Sequence, residues 1–505
     1  MFIAQPGEQK MSKSIVLEVI PILGVIHFVA LSSVCLYGLH RLWMIYCLYK
    51  KKKGKAAIPA PFASPEEFPV VTVQLPLFNE RFVARRLLDA AARLDWPRDR
   101  LEIQVLDDSD DDTCQLVDAQ VARWRQQGID MVVVRRPSRG GYKAGALAHG
   151  MTTARGEFIA VFDADFIPPA DFLRSTLPWF RDRGVGMVQA RWSFFNANHS
   201  WFTGIQSLLL GAHFSIEHRV RYQQGLFFNF NGTAGVWRRC AIDSAGGWQA
   251  DTITEDLDLS YRAQMAGWRF VYLDHCDVPS ELPVTMSALR TQQQRWAKGS
   301  IQTARKILPV LMKKHLPLAV KIEAVAHLMA NIFWLLGMIA ILTLYPAILW
   351  RVGIGLRQII SIDLPLFLVS TGAIMSYFLL YWTLSKSKKL RYVFLLPALT
   401  IGLAPSISLS VLKGMFQSGG AFERTPKFGM QERERMPVMA FLYHQKNLPY
   451  IFLNGVLLIY CLLPIIFSWQ RGTWPALALL LLVPFGFALT MTKDIRESLY
   501  KTKAK

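Results

Sequence analysis

Three acidic clusters and one basic, aromatic cluster follow one another through the middle of this chain. They are Asp107-Asp108-Ser109, Asp163-Ala164-Asp165, Thr254-Glu255-Asp256 and Gln292-Gln293-Gln294-Arg295-Trp296. Carboxylates hold divalent cations or accept protons, and an arginine can grip phosphate oxygens through two parallel hydrogen bonds. The clusters therefore predict a site for an anionic substrate.

The Asp163-Ala164-Asp165 cluster is the predicted metal site. Apolar residues flank it, with Val161-Phe162 before it and Phe166 after it. Asp163 and Asp165 are therefore not ordinary solvent-exposed acids of a surface loop. A nucleoside diphosphate leaving group is strongly anionic. A divalent cation that is held by one or two carboxylates and by the phosphates neutralises it. We therefore expect Asp163 and Asp165 to bind Mg²⁺ or Mn²⁺ together with the substrate.

The other two acidic clusters each allow a functional and a structural interpretation. Asp107 and Asp108 can accept hydrogen bonds from a nucleobase or a ribose, or they can cap the helix that follows. Asp256 can be the general base that takes the proton of an attacking hydroxyl group, with Glu255 the weaker candidate. Alternatively, both acids only favour the N-terminus of their helix electrostatically.

The basic, aromatic cluster and an upstream lysine are candidates for binding a donor and an acceptor. Gln292, Arg295 and Trp296 lie within about one helical turn. Arg295 can bind a diphosphate and Trp296 can stack on a sugar ring, or the pair can belong to an interfacial belt beside a membrane. Lys143 can contact a phosphate or be an ordinary solvated lysine.

Alternating strands and helices are expected to position these clusters. Apolar runs predict strands at 70–75, 101–106, 131–134 and 158–162, separated by helices at 85–94, 113–127 and 144–153. This order predicts an α/β domain with a mostly parallel sheet wrapped by helices. In such sheets ligands bind beyond the carboxyl ends of the strands, where Asp107-Asp108 and Asp163-Ala164-Asp165 are both predicted to lie.

Composition and charge indicate an integral membrane protein. Of the 505 residues, 52% are hydrophobic and 19% are charged, and the formal net charge is +20. Much of this charge lies at the ends of apolar segments, as in the lysine run 50–53, which is the positive-inside pattern. Segment 15–39 is long enough to span a bilayer and lacks a small-residue cleavage site, so we expect a retained anchor. No nucleic-acid-reading motif accompanies the charge, which argues against a nucleic-acid partner.

The C-terminal part is predicted to be largely embedded in the membrane. The basic, amphipathic segment 301–318 is expected along the cytosolic membrane surface, the alternative being a plain linker helix. Predicted spans follow at 324–350, 364–384, 448–468 and 475–491. If all basic loops are cytosolic, segment 392–412 is re-entrant or interfacial. Otherwise it is a full span, and loop 413–447 lies outside.

These features divide the chain into four predicted regions. They are a transmembrane anchor at 1–55, a cytosolic domain at 56–300, the interfacial helix at 301–318 and a membrane region at 319–505. The six cysteines show no CxxC spacing, which fits a reduced cytosolic domain. A cytosolic carboxylate site on a membrane anchor favours sugar transfer from a nucleotide donor, with a product that enters or crosses the bilayer. We expect a multi-pass protein of the plasma (inner) membrane, in contact with membrane lipids.

The ordered motifs resemble the processive family 2 glycosyltransferases, which include cellulose, hyaluronan and mannan synthases. The greatest similarity is to the plant cellulose-synthase-like mannan and glucan synthases. The stretches that carry it are Gln74–Glu80, Gln104–Ser109, Gly141–Leu147, Phe162–Phe166, Val188–Trp192, Phe230–Arg238, Thr254–Asp256 and Gln292–Trp296. Phe422–Gly429 is similar to the cytosolic gating loop of that family, which closes over the donor. The resemblance implies a GT-A-type, Rossmann-like catalytic domain and a narrow channel formed by the spans.

The resemblance also implies roles for individual residues. The donor would be bound by Asn79, Glu80, Asp107, Asp108, Lys143, Asp163, Gln292 and Arg295. Asp163 and Asp165 would hold Mg²⁺ or Mn²⁺, and Asp256, with Glu255 beside it, would be the general base of inverting transfer. Trp296 would stack on the acceptor sugar. The gating loop, within 413–447, would contribute Phe422, Arg424, Thr425 and Lys427.

Three functions are compatible with these features. The first is a synthase that polymerises a β-linked mannan, glucomannan or glucan from GDP-mannose or UDP-glucose and extrudes the growing glycan. The second is a glycolipid synthase that adds a single hexosyl residue to a membrane lipid. The third is a transporter or scaffold with an inactive catalytic domain, against which the intact acidic set argues.

Overall fold

The computed structural model describes residues 6–50, 59–351, 361–362, 365–366, 368–385, 390–430, 447–472 and 474–503. They form two compact units. The sheet unit comprises the described residues within Tyr46–Met329 and Lys413–Tyr443. The helical unit comprises those within Met1–Ile45, Ala330–Leu412 and His444–Lys505. Of the predicted gating loop, residues 413–430 and 447 are described and residues 431–446 lie outside the described range.

A seven-stranded sheet is the framework of the sheet unit, as far as the chain is described. Its strands are β1 Val71–Leu77, β2 Leu101–Asp107, β3 Met131–Val134, β4 Phe158–Val161, β5 Val185–Phe194, β6 Gly235–Arg238 and β7 Arg269–Ser280. Their order is β3-β2-β1-β4-β6-β5-β7, and β6 alone runs antiparallel to its neighbours β4 and β5. The predicted mostly parallel α/β sheet is therefore confirmed.

Helices cover both faces of this sheet, which explains why the central strands are apolar on both faces rather than alternating. The helices up to β7 are α2 Ala84–Ala92, α3 Thr113–Gln126, α4 Tyr142–Met151, α5 Phe172–Thr176, α6 Trp201–Ala212, α7 Arg219–Gln223, α8 Arg239–Ser244 and α9 Glu255–Met265. A π-helical turn, His213–His218, joins α6 to α7. In β1, Val71, Val73 and Leu75 are fully buried, as is Ile103 in β2.

Two further helices complete the sheet unit. They are α10 Met286–Lys313 and α11 Leu318–Leu328. Residues 301–313 of the predicted interfacial helix 301–318 form the second half of α10, which also contains the Gln292–Trp296 motif; the helix ends at Lys313 and not at 318. Ile307 and Leu311 of α10 pack against Ala324 and Leu328 of α11. Because Ala324 and Leu328 belong to α11 and pack against α10, the predicted span 324–350 begins later in the structure, at Ile332.

The helical unit consists of long apolar helices. Their bounds are α1 Pro6–Tyr49, Ile332–Arg351, Ala373–Leu384, Leu390–Phe416, Leu448–Gln470 and Trp474–Lys503. The last residues of α1 and of helix Leu390–Phe416 belong to the sheet unit. Within the described residues, four helices are long and apolar enough to cross a membrane: the Glu18–Tyr49 part of α1, Ile332–Arg351, Leu390–Phe416 and Leu448–Gln470. Helix Leu390–Phe416 is unbroken through both of its prolines. Whether its 392–412 part crosses the membrane or is re-entrant stays a prediction.

Close packing holds the C-terminal helices together. Asn454 donates a hydrogen bond to Thr490 Oγ1 over 3.0 Å, joining the last two helices. A β-carbon on Gly402 would lie 2.3 Å from the Thr490 side chain, so glycine is needed for this close approach. Phe487 is fully buried against Leu457 and Cys461.

Candidate active site

The candidate site lies at the carboxyl edge of the parallel strands. β1, β2 and β4 run parallel, with Leu77 paired to Asp107 and Gln74 paired to Val161. The turns that leave these strands therefore meet at one edge of the sheet, as the α/β pattern predicts. Asp108 leaves β2 there, and Asp163 follows β4.

A cavity of about 180 Å³ opens at this edge. Most of the predicted site residues line it: Glu80, Asp108, Lys143, Asp163, Asp165, Glu255, Asp256, Gln292, Arg295, Trp296, Phe422, Arg424, Thr425 and Lys427. Small-molecule sites usually measure roughly 300–1,000 Å³. Phe422, Arg424, Thr425 and Lys427 belong to residues 422–430, which we call the covering segment, and they form one side of the cavity.

Lys143 lies at the centre of the acidic residues. Its ammonium group contacts Asp163 Oδ1, donates to the Gly232 carbonyl over 2.8 Å, and lies 3.9 Å from Glu255 Oε1. Burial lowers the pKa of Lys143, but the charges of Asp163 and Glu255 outweigh it and hold the pKa above its ordinary value. Lys143 therefore stays charged and provides a fixed cation for an anionic donor.

Asp256 lies in the first turn of α9, where its Oδ1 accepts the Leu257 N–H over 2.8 Å. Burial, and then the neighbouring charge of Glu255, raise the pKa of Asp256 to about 7. Gly232 packs against it: a β-carbon there would lie 3.0 Å from Asp256 Oδ2 and 3.3 Å from Lys143 Nζ. A general base works best when its pKa lies near the operating pH, and this carboxylate has that property.

Asp163 and Asp165 offer oxygen ligands in the same cavity. Asp163 contacts Lys143, and Asp165 Oδ2 accepts from Lys427 Nζ over 2.7 Å. Within the described residues, no group of three or more His, Cys, Asp or Glu side chains is arranged to hold a metal ion. Two carboxylates suit Mg²⁺ or Mn²⁺ only if the donor's phosphates supply further ligands.

Helix α10 brings the basic, aromatic cluster to the opposite wall. Arg295 donates to the Glu423 carbonyl over 3.0 Å, and its guanidinium carbon lies 4.1 Å from the centre of the Phe422 ring. Gln292 is buried, and both Gln292 and Trp296 line the cavity. The helical spacing predicted for this motif is confirmed, and its side chains meet the acidic residues across the cavity.

Ion pairs hold the covering segment against the sheet edge. Arg424 donates two hydrogen bonds to the Glu80 carboxylate, over 2.9 and 2.8 Å, and Lys427 pairs with Asp165. Burial raises the pKa of Glu80 to about 7, although Arg424 opposes that shift. Neither pair could be read from the sequence, since 344 positions separate Glu80 from Arg424.

Two predicted donor residues, Asp107 and Asn79, lie beside the cavity but do not line it. Asp107 is buried and accepts two hydrogen bonds from Arg135, over 3.0 and 2.8 Å. Asn79 exchanges hydrogen bonds with Asp110. Asp108 does line the cavity, although Arg136 pairs with its carboxylate. Contact of these residues with a nucleoside stays a prediction, and the structure gives each of them a local role in holding the turns.

Several cavity-lining side chains carry buried polar atoms that lack a hydrogen-bond partner among the described residues. These atoms are Arg139 Nε, Trp192 Nε1, Gln292 Oε1 and Thr425 Oγ1. Buried polar atoms are usually paired with protein groups, ordered water or a ligand. The sequence interpretation assigned no role to Arg139 or Trp192, although Trp192 ends the family-like stretch Val188–Trp192. The Arg139 guanidinium carbon lies 3.2 Å from the Phe78 ring centre, a contact that only the folded chain reveals.

Comparison with known proteins gives a family match for most of the sheet unit. Residues 69–299 match the family described as Glycosyltransferase like family 2. The chain is 40% identical over 338 residues to glucomannan 4-beta-mannosyltransferase 1 of Oryza sativa subsp. japonica, covering 64% of each chain. It is 41% identical over 310 residues to glucomannan 4-beta-mannosyltransferase 2 of Arabidopsis thaliana, covering 58% of each. The chain therefore spans less than two thirds of the length of these relatives.

One solved structure is similar over most of the chain. It is the mannosyltransferase PcManGT from Pyrobaculum calidifontis in complex with GDP-Man and Mn²⁺. The TM-score is 0.51 at 21% sequence identity, over 78% of this chain and 99% of that one. At this identity the similarity supports the predicted GT-A-type fold and nothing further.

Proposed function

The chain belongs to glycosyltransferase family 2 through residues 69–299, and on that premise we propose that it is a membrane β-glycan synthase. We propose that it transfers mannosyl residues from GDP-mannose to a growing mannan or glucomannan. The observation that carries the proposal is the meeting of Lys143, Asp163 and Asp256 around Gly232 in one cavity. The names of the two plant relatives support mannose as the sugar.

The proposed donor site neutralises the departing diphosphate. Lys143 is a partly buried cation beside Asp163, and α10 brings Arg295 to the same cavity. Asp163 and Asp165 would hold Mg²⁺ or Mn²⁺, which when bound supplies Lewis-acid neutralisation of the leaving group. The buried Gln292 Oε1 and Thr425 Oγ1 atoms, which lack partners among the described residues, can pair with polar groups of the donor or the acceptor.

Asp256 is the proposed general base. Its carboxylate takes the proton from an acceptor hydroxyl group as that oxygen bonds to the anomeric carbon of the donor. The bond from the same carbon to the diphosphate oxygen breaks on the opposite face, so the configuration inverts and the nucleoside diphosphate leaves. With a pKa of about 7, Asp256 is substantially ionised at neutral pH and still basic enough to accept this proton.

The aromatic wall supports a sugar as the acceptor. Trp296 and Trp192 line the cavity, and Trp192 packs edge-on against Phe166 with ring centres 5.0 Å apart. Aromatic faces stack on the apolar faces of sugar rings, and a buried indole N–H needs an acceptor, which a sugar hydroxyl provides. The apolar helices of the helical unit support a membrane location. We propose that the sheet unit is cytosolic and that the product crosses the membrane.

The test uses purified protein in lipid vesicles with Mg²⁺ or Mn²⁺. Labelled GDP-mannose is supplied, with labelled UDP-glucose in parallel, and the product is partitioned between organic solvent and an ethanol-insoluble pellet. We expect label from GDP-mannose in the pellet, its release by a β-mannanase, and its loss in an Asp256→Asn protein. Label confined to the organic phase would instead establish the glycolipid synthase. If neither donor labels either fraction, the enzymatic proposal is wrong.

A further inference from the structure

Glu281 lies directly after β7 and is almost completely buried, with 2% of its surface exposed. Both carboxylate oxygens accept hydrogen bonds from consecutive backbone amides of the covering segment. Oε1 accepts from Phe428 N over 3.0 Å and Oε2 from Gly429 N over 2.9 Å. The backbone carbonyl of Glu281 also accepts from Lys427 Nζ. One residue of the sheet framework therefore holds three consecutive residues of the covering segment.

A buried carboxylate is costly unless charged partners and hydrogen bonds compensate for the loss of water. Glu281 has such partners, since Arg86 Nη2 lies 3.7 Å from it and Lys427 lies on its other side. Burial raises the pKa of Glu281, and Lys427 opposes that shift. Two charge-assisted hydrogen bonds to adjacent amides fix both the position and the orientation of a backbone.

Apolar contacts complete this attachment. Phe428 and Met430 of the covering segment are buried against Val284, three residues after Glu281. Lys427 immediately precedes the held amides, and it is the residue that reaches Asp165. The position of the Phe428–Gly429 backbone therefore affects where the Lys427 side chain lies.

We propose that Glu281 is a positioning residue that anchors the covering segment and so sets Lys427 and Thr425 over the donor. The proposal rests on the proposed glycosyl transfer. An anchored segment keeps water away from the anomeric carbon, so the donor reacts with the acceptor hydroxyl rather than with water. The atoms balance in both reactions: a sugar hydroxyl or a water oxygen bonds to the anomeric carbon, the diphosphate leaves, and the proton goes to Asp256.

The test compares Glu281→Gln with a matched control, Glu157→Gln. Glutamine keeps the volume but loses the charge, and it offers one acceptor oxygen to the two amides. Glu157 is a largely exposed acid paired with Arg238, directly before β4 and so at the opposite edge of the sheet. The full-length protein is studied in detergent or vesicles with labelled GDP-mannose, and glycan and free mannose are measured separately.

We expect Glu281→Gln to lower the rate of transfer about tenfold, the effect of losing one hydrogen bond to a charged group. The share of GDP-mannose that is hydrolysed without transfer should rise. Trypsin should also cleave the Lys427–Phe428 bond several-fold faster, because Lys427 is buried while the segment is anchored. Glu157→Gln should match the wild type in all three measurements.

Unchanged transfer, hydrolysis and cleavage in Glu281→Gln would overturn the proposal. If that variant does not fold, hydrogen exchange of the wild type decides. The amides of Phe428 and Gly429 should be protected, and exchange as fast as that of an unstructured peptide would contradict the anchor. If the wild type transfers no sugar at all, the proposed function fails on its own. The cleavage and exchange measurements would still test whether Glu281 holds the segment.

Discussion

The cavity has two sides of different origin. We call one side the acidic wall; its residues are Asp163, Asp165, Glu255 and Asp256. The first two follow the end of β4 and the last two begin α9, so the sheet framework fixes their positions. The covering segment, 422–430, lies more than 120 positions further along the chain and is held by ion pairs and by amide contacts with Glu281. The wall is placed by the fold itself, whereas the segment is placed by contacts that a few substitutions can remove.

The two sides of the cavity therefore have different functional roles. Chemistry that needs fixed geometry, such as proton removal by Asp256, belongs to the wall. Contacts that must open for the donor and close again belong to the segment. Substitutions in the wall should therefore abolish transfer, while substitutions in the segment should weaken it.

The largest effect is expected for Asp256→Asn. Removing a general base typically costs about 10²–10⁴ in rate. Asparagine fills the same space but cannot take the proton, so transfer should fall by this factor. Asp251→Asn is the control, because Asp251 is an exposed acid in the preceding loop that pairs with Lys306. Transfer by Asp256→Asn within a factor of a few of the wild type would contradict the assignment.

The pH dependence of the wild type is the second prediction. Only the ionised Asp256 carboxylate can accept a proton, and its pKa is about 7. Below that pH, kcat/KM should fall about tenfold for each pH unit, and above it the rate should level off. A profile that is flat between pH 5 and 8 would show that another group acts as the base.

Gly232→Ala probes the packing inside the acidic wall. Gly232 adopts φ of +79°, and an added β-carbon would lie 3.0 Å from Asp256 Oδ2. We expect a loss of about 1–2 kcal/mol in stability from the left-handed backbone, together with lower activity because Asp256 is displaced. Gly225→Ala is a matched control: it has a similar φ of +66°, with no atom within 4 Å of the added carbon. Equal activity losses in both variants would mean that backbone strain alone is responsible.

The covering segment should show a smaller effect. Arg424→Gln removes the ion pair with Glu80, and we expect transfer to fall by several-fold, as for a partly buried pair. The control is Arg181→Gln, which removes a surface ion pair with Glu67 and should leave the rate of transfer unchanged. If Arg424→Gln lowered the rate of transfer as much as Asp256→Asn does, the proposed difference between the acidic wall and the covering segment would be wrong.

The last prediction concerns stability, whose pH dependence runs opposite to that of activity. In the unfolded chain, Asp256 ionises near an ordinary aspartate pKa of about 3.9. In the folded protein its pKa is about 7, so the stability that it contributes is full below about pH 4 and is lost as the pH rises to 7. Asp256→Asn should therefore unfold at a higher temperature than the wild type at pH 8, with no such gain near pH 4. A lower unfolding temperature at pH 8 would contradict this.

The sequence predicted the acidic wall better than the covering segment, for a physical reason. Apolar runs end directly before Asp107 and Asp163, so local pattern alone locates β2, β4 and the turns that follow them. β6 was not predicted, and its antiparallel placement depends on neighbours far away in sequence. Family resemblance drew attention to Phe422–Gly429, but no local pattern pairs Arg424 with Glu80.

The residues that sequence reasoning missed act through long-range contacts. Arg136 donates hydrogen bonds to the Asp108 carboxylate and to the Gly140 and Tyr142 carbonyls. Glu281 accepts hydrogen bonds from the backbone amides of Phe428 and Gly429, which lie 147 and 148 positions away in the chain. Neither Arg136 nor Glu281 belongs to a sequence motif whose spacing suggests a catalytic or binding role.

The central claim is that proton removal and donor binding are separate functions of one cavity. Calorimetric titration of Asp256→Asn with GDP-mannose and Mg²⁺ or Mn²⁺ tests it most directly. If Asp256 is the base, the variant binds the donor about as tightly as the wild type, although it transfers almost no sugar. Loss of donor binding would show that Asp256 helps to hold the donor, and the assignment of Asp256 as the base would be wrong.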